Sequence, residues 1–143
     1  MIRLRTLELI RRHFYSFFRH NTPTKFANLL HIWYHFWRGR MVVQGYPFEI
    51  IIDPINICNL RCPLCVTGQY KNKRPNGMMP FEEFTKIIDE IGRWLYKVRF
   101  YSWGEPLLHK DIYRMISYTH HKNIGTESKY SALARLYHNL DRV

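Results

Sequence analysis

Apolar and polar positions alternate along this chain with two different periods, and the change of period divides it into segments. In residues 1–40 the apolar positions recur every three or four residues. Leu7, Ile10, Phe14, Phe17 and Phe18 make one set; Phe26, Leu29, Leu30, Trp33, Tyr34 and Trp37 make the next. That spacing predicts two amphipathic helices. Asn21-Thr22-Pro23 separates them: Thr22 suits a helix cap, and Pro23 suits the first helical position, where its missing N–H has no partner to lose. Gly39 and Gly45-Tyr46-Pro47 mark the exit.

The period then shortens. Phe48 to Asp53 is strand-length and rich in isoleucine, which predicts a strand. Ile55 to Gln69 reads as a loop. Residues 70–80 are polar, with Asn76-Gly77 as a turn and Pro80 ahead of a helix. Over 81–92 the helical period returns, with Phe84, Ile87, Ile88 and Ile91 on one face and Gly92 near the end. Residues 97–103 alternate: Val98, Phe100 and Ser102 face one way, Lys97, Arg99 and Tyr101 the other, a second strand. Asp111 stands where it can cap a helix carrying Ile112, Met115, Ile116 and Thr119, Asn123 stops that helix, and Ile124-Gly125-Thr126 starts a third strand.

Strand–loop–helix–strand–helix–strand implies parallel strands joined by right-handed crossovers, an α/β fold. After Thr126 the residues Glu127-Ser128-Lys129-Tyr130 are polar and lack strand alternation, and Leu133, Leu136, Tyr137 and Leu140 suggest a helical tail. Three segments are therefore expected: a basic aromatic arm over 1–45, an α/β core over 46–126 and a tail over 127–143.

Composition narrows the class. An apolar share of 46% over 143 residues excludes global disorder and suffices for one domain core. The net charge of +11 favours anionic partners: nucleic acid, an acidic membrane surface or phosphorylated substrates. No run of about 18 apolar residues predicts a membrane span, and arginines interrupt every N-terminal apolar stretch, so no secretory segment is read there. The expected location is the cytoplasm. For the arm, three uses are open. Its aromatic stripes can pack on the core with the arginines in water, as such stripes usually do. Trp33 and Trp37 can instead meet a membrane surface, giving a membrane-peripheral protein. RNA is the third, and no nucleic-acid motif supports it.

All three cysteines lie within eight residues, in Cys58-Asn59-Leu60-Arg61-Cys62-Pro63-Leu64-Cys65. An odd, clustered set is no disulfide framework. The spacing C-x3-C-x2-C just after a strand offers three thiolates on one tight loop. Each can hold one iron of a cubane cluster, leaving the fourth iron for a ligand that is not protein. Zinc held by the three cysteines with His109 as fourth ligand is the competing reading, within a non-catalytic metal- or cluster-binding interaction module.

The cysteine motif resembles the signature of the radical SAM superfamily. Tyr101-Ser102-Trp103-Gly104-Glu105-Pro106 closes the second strand where that family commonly has Gly-Gly-Glu-Pro, with Trp103 in place of the first glycine. Gly77 to Phe84 and Gly104 to Ile112 are similar to members of its SPASM/peptide-maturation branch. The resemblance covers residues 44–126. It implies a partial radical SAM (βα) barrel, about two and a half βα units, after two amphipathic helices. It implies that Cys58, Cys62 and Cys65 ligate a [4Fe-4S] cluster whose open iron binds S-adenosylmethionine, with Leu64 beside the adenine and Gly104, Glu105 and Pro106 by the methionine end. An external electron donor would then drive cleavage to a 5′-deoxyadenosyl radical that attacks an unknown substrate. The family's later strands and further cysteines are not seen, so a truncated member with impaired activity is expected.

Overall fold

The computed structural model describes residues 14, 18–67, 69 and 75–128. Their elements run α1 (Pro23–Trp37), β1 (Glu49–Ile52), α2 (Phe81–Ile91), β2 (Lys97–Phe100), α3 (Ile112–His121) and β3 (Gly125–Ser128). Of the first expected helix, Phe14 and Phe18–His20 are described and are helical. The rest of it, and the tail from Ser131, lie outside the described residues.

The three strands form one parallel sheet in the order β1-β2-β3, with Ile50 opposite Val98 and Val98 opposite Thr126. Strand alternation puts Ile50 and Ile52 of β1, and Val98 and Phe100 of β2, on the face that α2 and α3 cover. There they meet Phe84 and Ile88 of α2, Ile112, Met115 and Ile116 of α3, and Leu95 and Ile124 from the connections. The Phe84 and Phe100 rings sit 5.7 Å apart at this core's centre. Truncating either to alanine would cost about 3–5 kcal/mol.

The opposite face carries charges. Lys97 pairs with Glu127 at 3.1 Å, and Arg99 lies between Glu49 and Glu127. These pairs correct one expectation: β3 does not fade after Thr126 but continues through Glu127 and Ser128. Glu127 looks polar and unstrandlike in sequence, yet its position in the ladder is set by cations on the neighbouring strand.

The helix ends follow local chemistry. Thr22 caps α1, its Oγ1 accepting the Lys25 N–H at 3.3 Å, with Pro23 at the first position. Gly39, in the left-handed region at φ +63°, lets the chain leave. Glu82 and Glu83 in the first turn of α2 suit its positive end. Asn123, at φ +57°, ends α3. Asp111 sits at the cap position of α3 as expected but caps nothing: its carboxylate binds Arg114 at 2.9 Å instead.

Two further expectations change. Asn76-Gly77 forms no turn. Asn56 donates its N–H to the Gly77 carbonyl and accepts the Gly77 N–H on its side chain, and Met79 N–H bonds Pro54 O, so this stretch runs antiparallel beside the chain leaving β1. Helix α1 also packs the other way round from its hydrophobic pattern. Its buried residues are Lys25, Asn28 and His35, while Phe26, Leu30, Trp33, Tyr34 and Trp37 are exposed. The polar face is held because Lys25 and Asn28 both find partners, although the buried His35 Nδ1 has none. Lys25 Nζ donates to Asn123 O at 2.6 Å. Asn28 both donates to Tyr46 O and accepts from Tyr46 N, each at 2.9 Å. Buried polar groups so satisfied carry little penalty.

Candidate functional site

Adjacent parallel strands send their following loops out on the same edge, and sites of α/β sheets sit there. The loop after β1 carries Asp53 to Cys65, and the loop after β2 carries Tyr101 to Pro106. The structure locks the two together residue against residue. The Asp53 carboxylate accepts the Trp103 N–H, at 3.1 Å on one oxygen and 3.0 Å on the other. That bond turns the chain out of the ladder at Phe100, so β2 is shorter than its alternation suggests. Next, Gly104 passes so close to Ile55 that a Cβ there would stand 1.7 Å from the Ile55 carbonyl oxygen. Then the Glu105 N–H donates to the Ile57 carbonyl at 2.9 Å. Residues 103, 104 and 105 thus lie along 53, 55 and 57, and the last of these immediately precedes Cys58.

Glu105 is buried rather than solvated, and its Oε1 accepts the Leu107 N–H at 3.2 Å. It therefore caps the short 3-10 turn Pro106–Leu108 and stiffens the loop, a role typically worth about 1 kcal/mol. Pro106 is buried at the head of that turn.

The cysteine loop itself is tight. Cys65 N–H bonds Cys62 O at 3.2 Å, Gln69 N–H bonds Cys65 O at 3.0 Å, and the Gln69 side chain reaches Pro63 O. Leu60 N–H points at Cys58 Sγ at 3.4 Å. None of the three cysteines is in a disulfide; Cys62 is exposed and the other two are half-buried. Leu64 is 98% exposed, presenting an apolar side chain at the surface with no contact to cover it.

His109 does not join them. It is buried, its Nε2 meets Met79 O at 2.9 Å, and its Nδ1 accepts the Asp111 N–H at 3.0 Å. Both ring nitrogens are used in joining the start of α3 to the chain before α2, which removes the fourth ligand from the zinc reading. Among the described residues no three His, Cys, Asp or Glu side chains are gathered to hold one metal ion. A cubane makes a different demand, since each thiolate binds its own iron. Three thiols on one loop, one sulfur already receiving a backbone N–H, and no fourth cysteine are a donor set that fits such a cluster with one open iron. Thr67 adds to the fit. Two residues past Cys65, its hydroxyl is buried with no hydrogen-bond partner, a vacancy that native folds rarely leave.

Sequence reasoning found the cysteines and the Gly-Glu-Pro stretch but missed Asp53 and Thr67. An acid closing a strand was a signal for Asp53; nothing marked Thr67.

A family model described as the radical SAM superfamily matches residues 52–138. Among solved structures, the crystal structure of BtrN in complex with AdoMet and 2-DOIA is similar, with a TM-score of 0.51 and 18% identity. The match covers 57% of this chain and 34% of that one, so the chain spans about a third of its length. At that identity the likeness is one of fold. No curated protein matches the chain.

Proposed function

The chain belongs to the radical SAM superfamily, and from that premise we propose that Cys58, Cys62 and Cys65 hold a [4Fe-4S] cluster at which S-adenosylmethionine is bound and reductively cleaved. Membership implies both cofactors. The observation that carries the proposal for this chain is the fastening of the cysteine loop to Gly104 and Glu105 by the Glu105–Ile57 hydrogen bond and the Gly104–Ile55 contact.

When bound, the cluster supplies one electron to the sulfonium and a coordination position for the amino and carboxylate groups of S-adenosylmethionine. The chain's own residues do the rest. The three thiolates bind three irons. The Leu60 N–H stabilises negative charge on Cys58 Sγ. Asp53, Gly104 and Glu105 fix the loop that carries the thiolates, so the cradle is positioned before anything binds. Leu64 is free to close over an adenine ring and shed water from it. The half-exposed Trp103 stands on the same edge and offers a second apolar cover. The SPASM/peptide-maturation branch is a finer assignment, supported by the likeness of residues 77–84 and 104–112.

Anaerobic reconstitution with iron and sulfide is expected to give a brown protein carrying close to four irons, and under reduction with S-adenosylmethionine to release 5′-deoxyadenosine. Replacing any one of the three cysteines by serine is expected to abolish both. A colourless protein that binds zinc through the same cysteines would sink the proposal.

A further inference from the structure

We infer that α1 is a docking face for an anionic lipid bilayer, lying along the membrane surface with its aromatic side down. The helix is amphipathic, yet its apolar side is the one turned to solvent. Successive residues rotate by about 100°, so Phe26, Leu30, Trp33, Tyr34 and Trp37 fall within one arc, opposite Lys25, Asn28 and Ile32. The second group packs on the protein: Lys25 on Asn123, Asn28 on the backbone of Tyr46, and Ile32 against Gly45. The first group is left out, with Trp33 at 62% and Trp37 at 73% exposure, and the two indoles stack on each other with their planes 8° apart.

The helix cannot be rolled over to bury that arc, because doing so would strip Lys25 and Asn28 of their partners. The apolar side is therefore held outward. The chain that follows continues it: Met41 and Val42 are also fully or largely exposed. Earlier in the chain, Phe14 and Phe18 are exposed and lie 6.2 Å apart.

Charge selects the occupant. Residues 1–45 hold eight of the chain's 22 Lys and Arg and one of its 11 acids, Glu8. Arg38 and Arg40, both exposed, flank the end of the aromatic arc, and Arg38 lies over the Tyr34 ring. Tryptophan, tyrosine and phenylalanine edged by arginine suit the boundary between acyl chains and phosphates. A second copy of the chain would bring the same excess of positive charge against itself. No helix of the described residues is long and apolar enough to cross a membrane, so the contact is along the surface.

Co-sedimentation of the full chain with vesicles of phosphatidylcholine alone, and with phosphatidylglycerol added, tests this. Expected is strong binding to the anionic vesicles, weak binding to the neutral ones, and loss of binding as salt is raised. The double variant W33A/W37A should bind at least several-fold less while keeping its thermal midpoint, since neither indole touches the core. K25M keeps the aromatic arc but loosens the helix that presents it, and should bind less than wild type by a smaller factor. No binding to anionic vesicles overturns the inference. So does a W33A/W37A protein that binds as well as wild type, or a concentration-dependent dimer or an RNA complex that forms in place of vesicle binding.

Discussion

Gly104 and Ile55 touch backbone to backbone: a Cβ at position 104 would stand 1.7 Å from the Ile55 carbonyl oxygen and 2.7 Å from its carbon. Neither atom belongs to a flexible side chain, so no rotation can make room. This contact explains why glycine stands there. It also explains how a loop after one strand fixes a loop after the next, since Glu105 then bonds Ile57 directly ahead of Cys58.

Gly104→Ala should therefore separate the two loops without unfolding the sheet. Overpacking of this kind costs about 1–3 kcal/mol, below what would melt a core built on Phe84 and Phe100. The expected outcome is a protein with wild-type circular dichroism that takes up less than half the iron after reconstitution. Full iron uptake would show that the cysteine loop organises itself alone.

Glu105 tests the same connection at a second point. Its carboxylate accepts the Leu107 N–H, and glutamine can do so equally well. Glu105→Gln should keep both stability and iron content. Glu105→Ala should lose about 1 kcal/mol, the worth of a cap, and retain less S-adenosylmethionine, measured by equilibrium dialysis. If glutamine fails as badly as alanine, the negative charge rather than the cap is what matters.

Thr67 separates fold from function. Its buried hydroxyl has no partner, so Thr67→Val removes an unmet polar group and should leave the free protein as stable or slightly more so. If the vacancy is filled on cofactor binding, the same change should raise the apparent KM for S-adenosylmethionine or slow cluster loading. A variant unchanged in both would mean the hydroxyl serves neither.

Much of this arrangement was legible along the chain, and the exceptions share a cause. The strands and helices were readable because their apolar periods are local. The two site motifs were readable because they close neighbouring strands, and parallel neighbours must put their loops together. The orientation of α1 was not. Periodicity identifies an apolar face, but the packed face was decided by Asn123, 98 residues from Lys25, and by the backbone of Tyr46. The length of β3 was hidden in the same way, because Glu127 belongs to the strand through Lys97 and Arg99. Asn76-Gly77 carried a turn signal that lost to pairing with Asn56. In each case a polar side chain or backbone group had a distant partner that sequence spacing does not display.

The junction of α1 with α3 makes stability rise with pH. Lys25 is 2% exposed, and burial pushes its pKa down from 10.5 to about 8. Burial also lowers His20, which bonds Asn123, against the raising effect of that bond; Lys25, His120 and Arg19 lower it further. Between about pH 8 and 10.5 the unfolded chain keeps a proton on Lys25 that the folded chain has released, so raising pH through that window favours the folded state. Below pH 6.5 the unfolded chain protonates His20 before the folded one does, so acid disfavours the folded state. Tyr96 and Tyr118, both raised above 10, work in the opposite sense at higher pH and close the useful window near pH 9.5. The denaturation midpoint should accordingly climb from pH 5 to 7 and again from pH 8 to 9.5. Lys25→Met should flatten the second rise and leave the first in place but smaller, since burial still lowers His20 once the Lys25 charge is gone. A midpoint that falls between pH 8 and 9.5 would mean that Lys25 is held as an ammonium by its bond to Asn123, with the hydrogen bond outweighing the cost of burial.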